Sequence, residues 1–181
     1  ARAGISMNLL VHRSIGAYLR TGACFFGLGW LCWCCGRAYR LEIPPEQWRN
    51  KPQHFMEFLV TCAALREHAP FREDTCVCCQ TDNTNAKGWL HKTNFYDDKE
   101  KIELARWLAE HQIKQKYCLY SQWFAGKANI VSDAPSQDHH LSDHKLTARL
   151  LSQHPEQLPK NVRIYPVSQA TRSWVYWMLP R

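Results

Sequence analysis

Residues 54–67 constrain the fold more than any other stretch. Laid on a helix, Phe55, Met56, Phe58, Leu59, Val60, Cys62, Ala63, Ala64 and Leu65 are apolar nearly all the way round. Such a helix has to be covered on every side, because apolar surface left in water forfeits about 25 cal/mol per Å². The cover has to come from the rest of the chain. Apolar residues are 45% of the 181, enough for one core of ordinary size, and wholesale disorder is excluded.

The flanking segments read as sheet. Residues 19–43 are rich in aromatic, Leu and Cys residues and are punctuated by Gly27, Gly29 and Gly36. Two or three antiparallel strands fit, with a turn at Gly36-Arg37 between strands over 30–35 and 38–43. Pro44-Pro45 end that unit and Pro52 closes the connection to the buried helix. The short apolar run 75–80 predicts a central strand. Asp97-Asp98 supply an N-cap and first-turn acids for a helix through Gln112. Its apolar stripe is Ile102, Ala105, Leu108 and Ala109, and Lys99/Glu103 and Arg106/Glu110 form i,i+4 pairs on its wet side. A strand over 117–124 comes after it. The order of strands, helix, strand, helix, strand, helix predicts an α/β domain.

Outside this span the signals weaken. Residues 7–18 show no clean period, so 1–18 are expected to be a lead-in, the remnant of a preceding domain in a longer polyprotein. Residues 139–153 predict one short helix. Pro155, Pro159 and Pro166 interrupt the chain beyond it, and 173–179 read as a helix or a docking strand. The expected organisation is thus a lead-in at 1–18, a domain at 19–138 and a C-terminal tail or connection segment at 139–181.

A net charge of +7 makes a polyanion the natural partner. The longest uncharged apolar stretch, 23–35, is too short to span a bilayer, and it lacks a small-residue cleavage site after it. Neither a membrane nor a secretory signal is expected. Nine cysteines, an odd number set inside apolar runs such as Cys76-Val77-Cys78-Cys79, read as reduced, buried thiols. The expected location is therefore intracellular, in cytoplasm or nucleus.

Three acids stand in unusual surroundings. Glu57 lies inside Phe55-Met56-Glu57-Phe58-Leu59, where a bare carboxylate needs a cation, a metal or a polar stripe shared with Thr61. Asp82 closes the central strand in Thr81-Asp82-Asn83-Thr84, a position suited to ligand binding or to capping a helix after it. Asp133 lies beyond the last strand in Gly126-Lys127-Ala128-Asn129-Ile130-Val131-Ser132-Asp133-Ala134, as a cap, a turn acid or a site residue. Brought together, the three would repel unless divalent cations held them, and hard Mg²⁺ or Mn²⁺ suits oxygen ligands.

These three motifs resemble, in type, order and spacing, the signatures of retroelement ribonuclease H domains, and the similarity covers residues 20–138. The resemblance implies a ribonuclease H-like fold, a five-stranded mixed sheet with helices on both faces. It implies Mg²⁺ or Mn²⁺ in a two-metal site, bound by Glu57, Asp82 and Asp133. The implied reaction is hydrolysis of the RNA strand of an RNA–DNA hybrid, and the implied context is a polyprotein with a reverse transcriptase domain. Lys92, Lys127, Asn83 and Trp89 are the candidate nucleic-acid contacts. The family's first Asp, which bridges both metals, falls on Gly22 in Thr21-Gly22-Ala23-Cys24-Phe25-Phe26-Gly27-Leu28-Gly29, so the resemblance implies an impaired, degenerate site. The late motif also departs from the usual Ala-Asp-Ala-Leu-Ser-Arg, with Pro135 and Gln137 in the fourth and sixth places. Trp30 stands where a small residue is common. Residues 139–158 resemble, more weakly, the segment downstream of this domain in tyrosine-recombinase-type retroelements.

Two other readings compete. A non-catalytic nucleic-acid-binding domain would track phosphates with His91, Lys92, Lys114, Lys116 and Lys127 and stack bases on Trp89 and Trp123. A zinc module would use Cys32-Trp33-Cys34-Cys35 or Cys76-Val77-Cys78-Cys79. Alternate thiols on a strand face opposite sides of the sheet, which argues against a shared ion.

Overall fold

The computed structural model describes residues 14–48, 51–68, 75–92, 95, 98–126 and 129–179. Six strands, β1 (Ile15–Cys24), β2 (Gly27–Cys32), β3 (Arg37–Glu42), β4 (Cys76–Thr81), β5 (Cys118–Trp123) and β6 (Arg163–Tyr165), form one mixed sheet in the order β5-β4-β1-β2-β3-β6. β1, β2 and β3 are an antiparallel meander, β4 runs parallel to β1 and β5 to β4, and β6 pairs parallel to β3. The helices that pack on it are α1 (Gln53–Glu67), α2 (Thr84–Trp89), α3 (Lys99–Gln115), α4 (Ile130–Gln137), α5 (Asp143–Gln153) and α6 (Gln169–Met178).

The sheet is covered on both faces, as the wholly buried β2 and nearly wholly buried β4 require. On one face α1 is buried from Phe55 to Leu65 beneath residues of α2, α3 and α6, among them Trp89, Leu104, Leu108 and Val175. A smaller cluster on the other face joins Leu31 and Ala38 of the sheet to Val131 and Ala134 of α4 and Leu146 and Leu150 of α5. Side-chain alternation makes this sorting: Leu28 and Trp30 point to α1, while Gly29 and Leu31 point to α4.

Several boundaries differ from expectation for identifiable reasons. The sheet has a sixth strand because Arg163–Tyr165, too short to show a period, pairs with Arg37–Tyr39. β1 begins at Ile15, where pairing with β4 through an irregular Ile15/Ala17 step supplies the order that hydropathy did not announce. β2 stops at Cys32, so the β2–β3 turn is Trp33–Gly36, and Cys34 and Cys35 are exposed rather than parts of a strand. In α3 the buried residues are Leu104 and Leu108, and Ala109 faces solvent. Asp98 caps α3 by accepting from the Lys101 N–H at 3.0 Å, while Asp97 lies outside the described residues. The aromatic C-terminal segment is helical, begun by Ser168, whose hydroxyl accepts from Thr171 N–H at 3.2 Å. No helix among the described residues is long and apolar enough to cross a membrane.

Candidate active site

β1 and β4 run parallel, so their carboxyl ends open at the same edge of the sheet, with Arg20 level with Gln80. A cleft of about 380 Å³ opens there, lined by Ala23, Cys24, Phe25, Gln53, Glu57, Asp82, Asn83, Asp133 and Gln137. Three acids far apart in sequence therefore share one cavity.

Glu57 is only 4% exposed. Its Oε1 accepts from the Ala23 N–H at 3.0 Å and from Gln53 Nε2 at 3.2 Å. Its Oε2 is buried with no hydrogen-bond partner. Burial pushes the carboxyl up to about 8, aided by the charges of Asp82 and Asp133 and opposed by the Ala23 N–H. The polar stripe with Thr61 exists but faces the sheet: Thr61 Oγ1 donates to the Glu57 carbonyl at 2.9 Å and lies 3.2 Å from the Thr21 hydroxyl. Solvent is thus not where this acid escapes to.

Asp82 sits one step past β4 and does not cap α2. That role falls to Asn83, whose side chain accepts from Ala86 N–H at 3.0 Å. Asp82 is fixed instead through its carbonyl, which accepts from Trp123 Nε1 at 2.8 Å. A Cβ on Gly126 would stand 2.9 Å from Asp82 Oδ2, so the loop after β5 presses close to this carboxylate. Burial raises the Asp82 carboxyl above its ordinary value.

Asp133 lies in the first turn of α4, where a carboxylate is favoured by the helix dipole. Even so, burial and then the charge of Asp82 push it up to about 7. Asn129, fully buried, donates from Nδ2 to Asp133 Oδ1 at 2.9 Å and to the Thr21 carbonyl at 3.2 Å, and its Oδ1 accepts a short bond from Ser132. Asn129 thereby locks Asp133 to the strand that carries Gly22.

Gly22 faces α4 directly. A Cβ there would collide with Asp133 Oδ1 and lie 3.2 Å from the Ser132 carbonyl. Gly29, its partner across the β1–β2 ladder, is tighter still, since a Cβ would come within 2.5 Å of Ser132 O and 2.7 Å of Ser136 N. α4 lies in the hollow made by these two glycines. That close approach, with no side chain on Gly22, is what brings Asp133 against β1.

The expected nucleic-acid contacts fare differently. Asn83 lines the cleft but commits its side-chain oxygen to the cap. Lys92 is exposed just beyond α2. Lys127 lies outside the described residues. Trp89 is not a stacking surface: it is 9% exposed, packed edge-on against His54 at 4.8 Å and Phe95 at 5.8 Å, with Lys101 Nζ 4.5 Å above its ring. Trp123, by contrast, is 47% exposed, and Phe25 and Phe26 at the β1–β2 turn are 55% and 60% exposed. Gln53 and Asn129 orient the two most perturbed acids; Asn129 carried no signal beyond its place in the late motif, and Gln53, ahead of Phe55, carried none.

The donor set is all oxygen, the chemistry a hard divalent cation prefers, but the three carboxylates share the cleft without each bringing an oxygen within 4.8 Å of the other two, so they would have to close in to hold an ion together. No protein-family model and no curated protein matches the chain.

Proposed function

We propose that this chain is a ribonuclease H-like domain of a retroelement reverse transcriptase, acting on RNA–DNA hybrids and impaired by Gly22. The observation that carries the reading is the convergence of Glu57, Asp82 and Asp133 on one cleft, with Gly22 backed against Asp133. The sheet supports it: an antiparallel β1–β2–β3 meander extended by β4 and β5, with helices on both faces, agrees with the mixed sheet the resemblance implies, although that sheet has five strands and this one has six. The net charge of +7 supports a polyanionic partner.

In this reading Glu57, Asp82 and Asp133 would hold Mg²⁺ or Mn²⁺, which would supply activation of a water and stabilisation of the leaving oxygen in phosphodiester cleavage. The chain's own contribution is placement. Gln53 and the Ala23 N–H occupy Glu57 Oε1 and leave the buried Oε2 without a partner. Asn129 sets the rotamer of Asp133. Trp123, bonded to the Asp82 carbonyl, and Phe25, one face of which is stacked on Trp48, are exposed beside the cleft and offer rings on which nucleotide bases or sugars can pack.

The test compares native chain with Gly22→Asp on labelled hybrid. The new Cβ crowds Asp133 Oδ1 and the Ser132 backbone, so Asp133 has to shift and loosen its bond from Asn129 to make room, and folding of the variant is checked alongside its activity. Restoring a ligand worth about 3 kcal/mol in the transition state corresponds to roughly a hundredfold in rate. Native chain should bind hybrid with a steep salt dependence and cut it at least ~100-fold more slowly than Gly22→Asp. Equal rates would refute the impairment, and failure of both proteins to bind or cut would refute the function. Salt-dependent binding without cleavage by either protein would favour a purely nucleic-acid-binding domain, the reading to which the missing carboxylate at Gly22 also lends weight.

A further inference from the structure

At the end of the sheet opposite the carboxylates, the β2–β3 turn brings Cys32 and Cys35 together with His68 at the C-terminus of α1. One ligand atom from each lies within 4.8 Å of the others, a grouping found among the described residues. The geometry points to a zinc site formed by Cys32, Cys35 and His68, with a fourth position left for water, which pins the β2–β3 turn to the end of α1.

The local structure is shaped for thiolate ligation. Ending β2 at Cys32 puts two residues between Cys32 and Cys35 around a tight turn, closed by Gly36 N–H donating to the Cys32 carbonyl at 3.0 Å. Gly36 takes a φ of 69°, which a side chain would oppose, and a Cβ there would also strike Asn161 Oδ1 at 2.7 Å. Burial pushes the Cys32 thiol up to about 12 against the backbone N–H groups of Cys35 and Cys34, so it is a metal ion in the proton's place that would hold it as thiolate. Cys-x-x-Cys at a turn is the spacing structural zinc sites use, and two sulfurs with one imidazole select zinc over the hard cations suited to the carboxylate cleft. Alternation along a strand, the objection to a shared ion, does not apply once the strand has ended.

His68 supplies the second, independent observation. Its Nε2 is buried and has no hydrogen-bond partner, although its backbone N–H closes α1 on the Ala64 carbonyl at 3.1 Å. Tyr39 packs edge-on to the ring at 5.2 Å and fixes its plane. An unpartnered buried nitrogen is costly unless something coordinates it. All nine cysteines are free thiols, so no disulfide competes for Cys32 or Cys35. His68 lies eleven residues beyond Glu57 along α1 and its cap, roughly 16 Å along the axis at about 1.5 Å per residue. An ion here would steady α1 without touching the cleft.

The experiment is zinc content after dialysis of the full chain, paired with the absorption spectrum of the Co²⁺-substituted protein. Cys35→Ser and His68→Gln, both changes at the rim of the core, are compared with Cys34→Ser and with Glu57→Gln, which removes the carboxylate site. Native chain, Cys34→Ser and Glu57→Gln should each retain one zinc and give thiolate-to-cobalt charge-transfer bands with intense tetrahedral visible bands. Cys35→Ser and His68→Gln should bind zinc at least ~10-fold more weakly, and Cys35→Ser should lose about half the charge-transfer intensity. Loss of native chain's zinc on dialysis overturns the proposal. So does retention indifferent to Cys35 and His68, or retention that depends on Glu57.

Discussion

Neutralising Glu57 gives the sharpest quantitative test of the cleft. Its carboxyl is raised from an ordinary 4.5 to about 8. The folded protein therefore holds this proton more tightly than the unfolded chain does, and the associated stability is whole below about pH 4.5 and lost as pH rises through about 8. A tenfold difference in proton affinity between folded and unfolded chain is worth about 1.4 kcal/mol, so the loss for one acid is on the order of 3–5 kcal/mol, part of it shared with Asp82 and Asp133. Asp133, raised from 3.8 to about 7, adds a loss of the same sign and similar size that is complete at a lower pH. Urea unfolding followed by tryptophan fluorescence, with chelator and with Mg²⁺, reads this directly. Glu57→Gln should match the native chain near pH 5 and exceed it by about 3 kcal/mol near pH 8.5. Saturating Mg²⁺ should remove most of the native chain's slope, since the ion replaces the proton. If Glu57→Gln tracks the native chain at every pH, or if native stability rises with pH in chelator, the electrostatic reasoning fails.

The same geometry sets other outcomes. Gly29→Ala should cost about 1–3 kcal/mol in urea melts, because its Cβ meets backbone atoms of α4 that cannot step aside. Asn129→Ala should destabilise by about 1–3 kcal/mol, by stripping partners from the Thr21 carbonyl, Ser132 and Asp133. Trp89→Ala should cost about 3–5 kcal/mol and leave hybrid affinity per folded molecule unchanged, whereas Trp123→Ala should weaken hybrid binding with little effect on stability.

Legibility in the sequence ended where local pattern ended. The buried helix announced itself through its unbroken apolar surface, and α1 spans Gln53–Glu67. The apolar Cys76–Cys79 run marked a central strand, and β4 occupies it. β6 was invisible because three residues carry no period, and its order comes from hydrogen bonds to β3. Ala109 was misplaced on α3 because alanine sits as readily on a wet face as on a dry one, and Leu104 is the residue that reaches the core. Trp89 looked like a stacking platform because a ring beside lysines does, and only the packing of His54 and Phe95 shows it to be core. In the cleft, the acids were legible from the incongruity of charge in apolar surroundings. Their keepers, Gln53 and Asn129, were not, because an amide in a polar motif reads the same whether it faces water or a carboxylate. The Cys32–His68 grouping was hidden because the turn was expected at Gly36-Arg37, which left Cys35 on a strand.

The most direct test of the central claim is the anomalous scattering of Mn²⁺ soaked into crystals of the native chain and of Gly22→Asp. A peak within coordination distance of Glu57 Oε2, shared with Asp82 or Asp133, is expected in the native chain, with a second, bridged peak in Gly22→Asp. Manganese absent from Glu57 in both crystals would contradict the account.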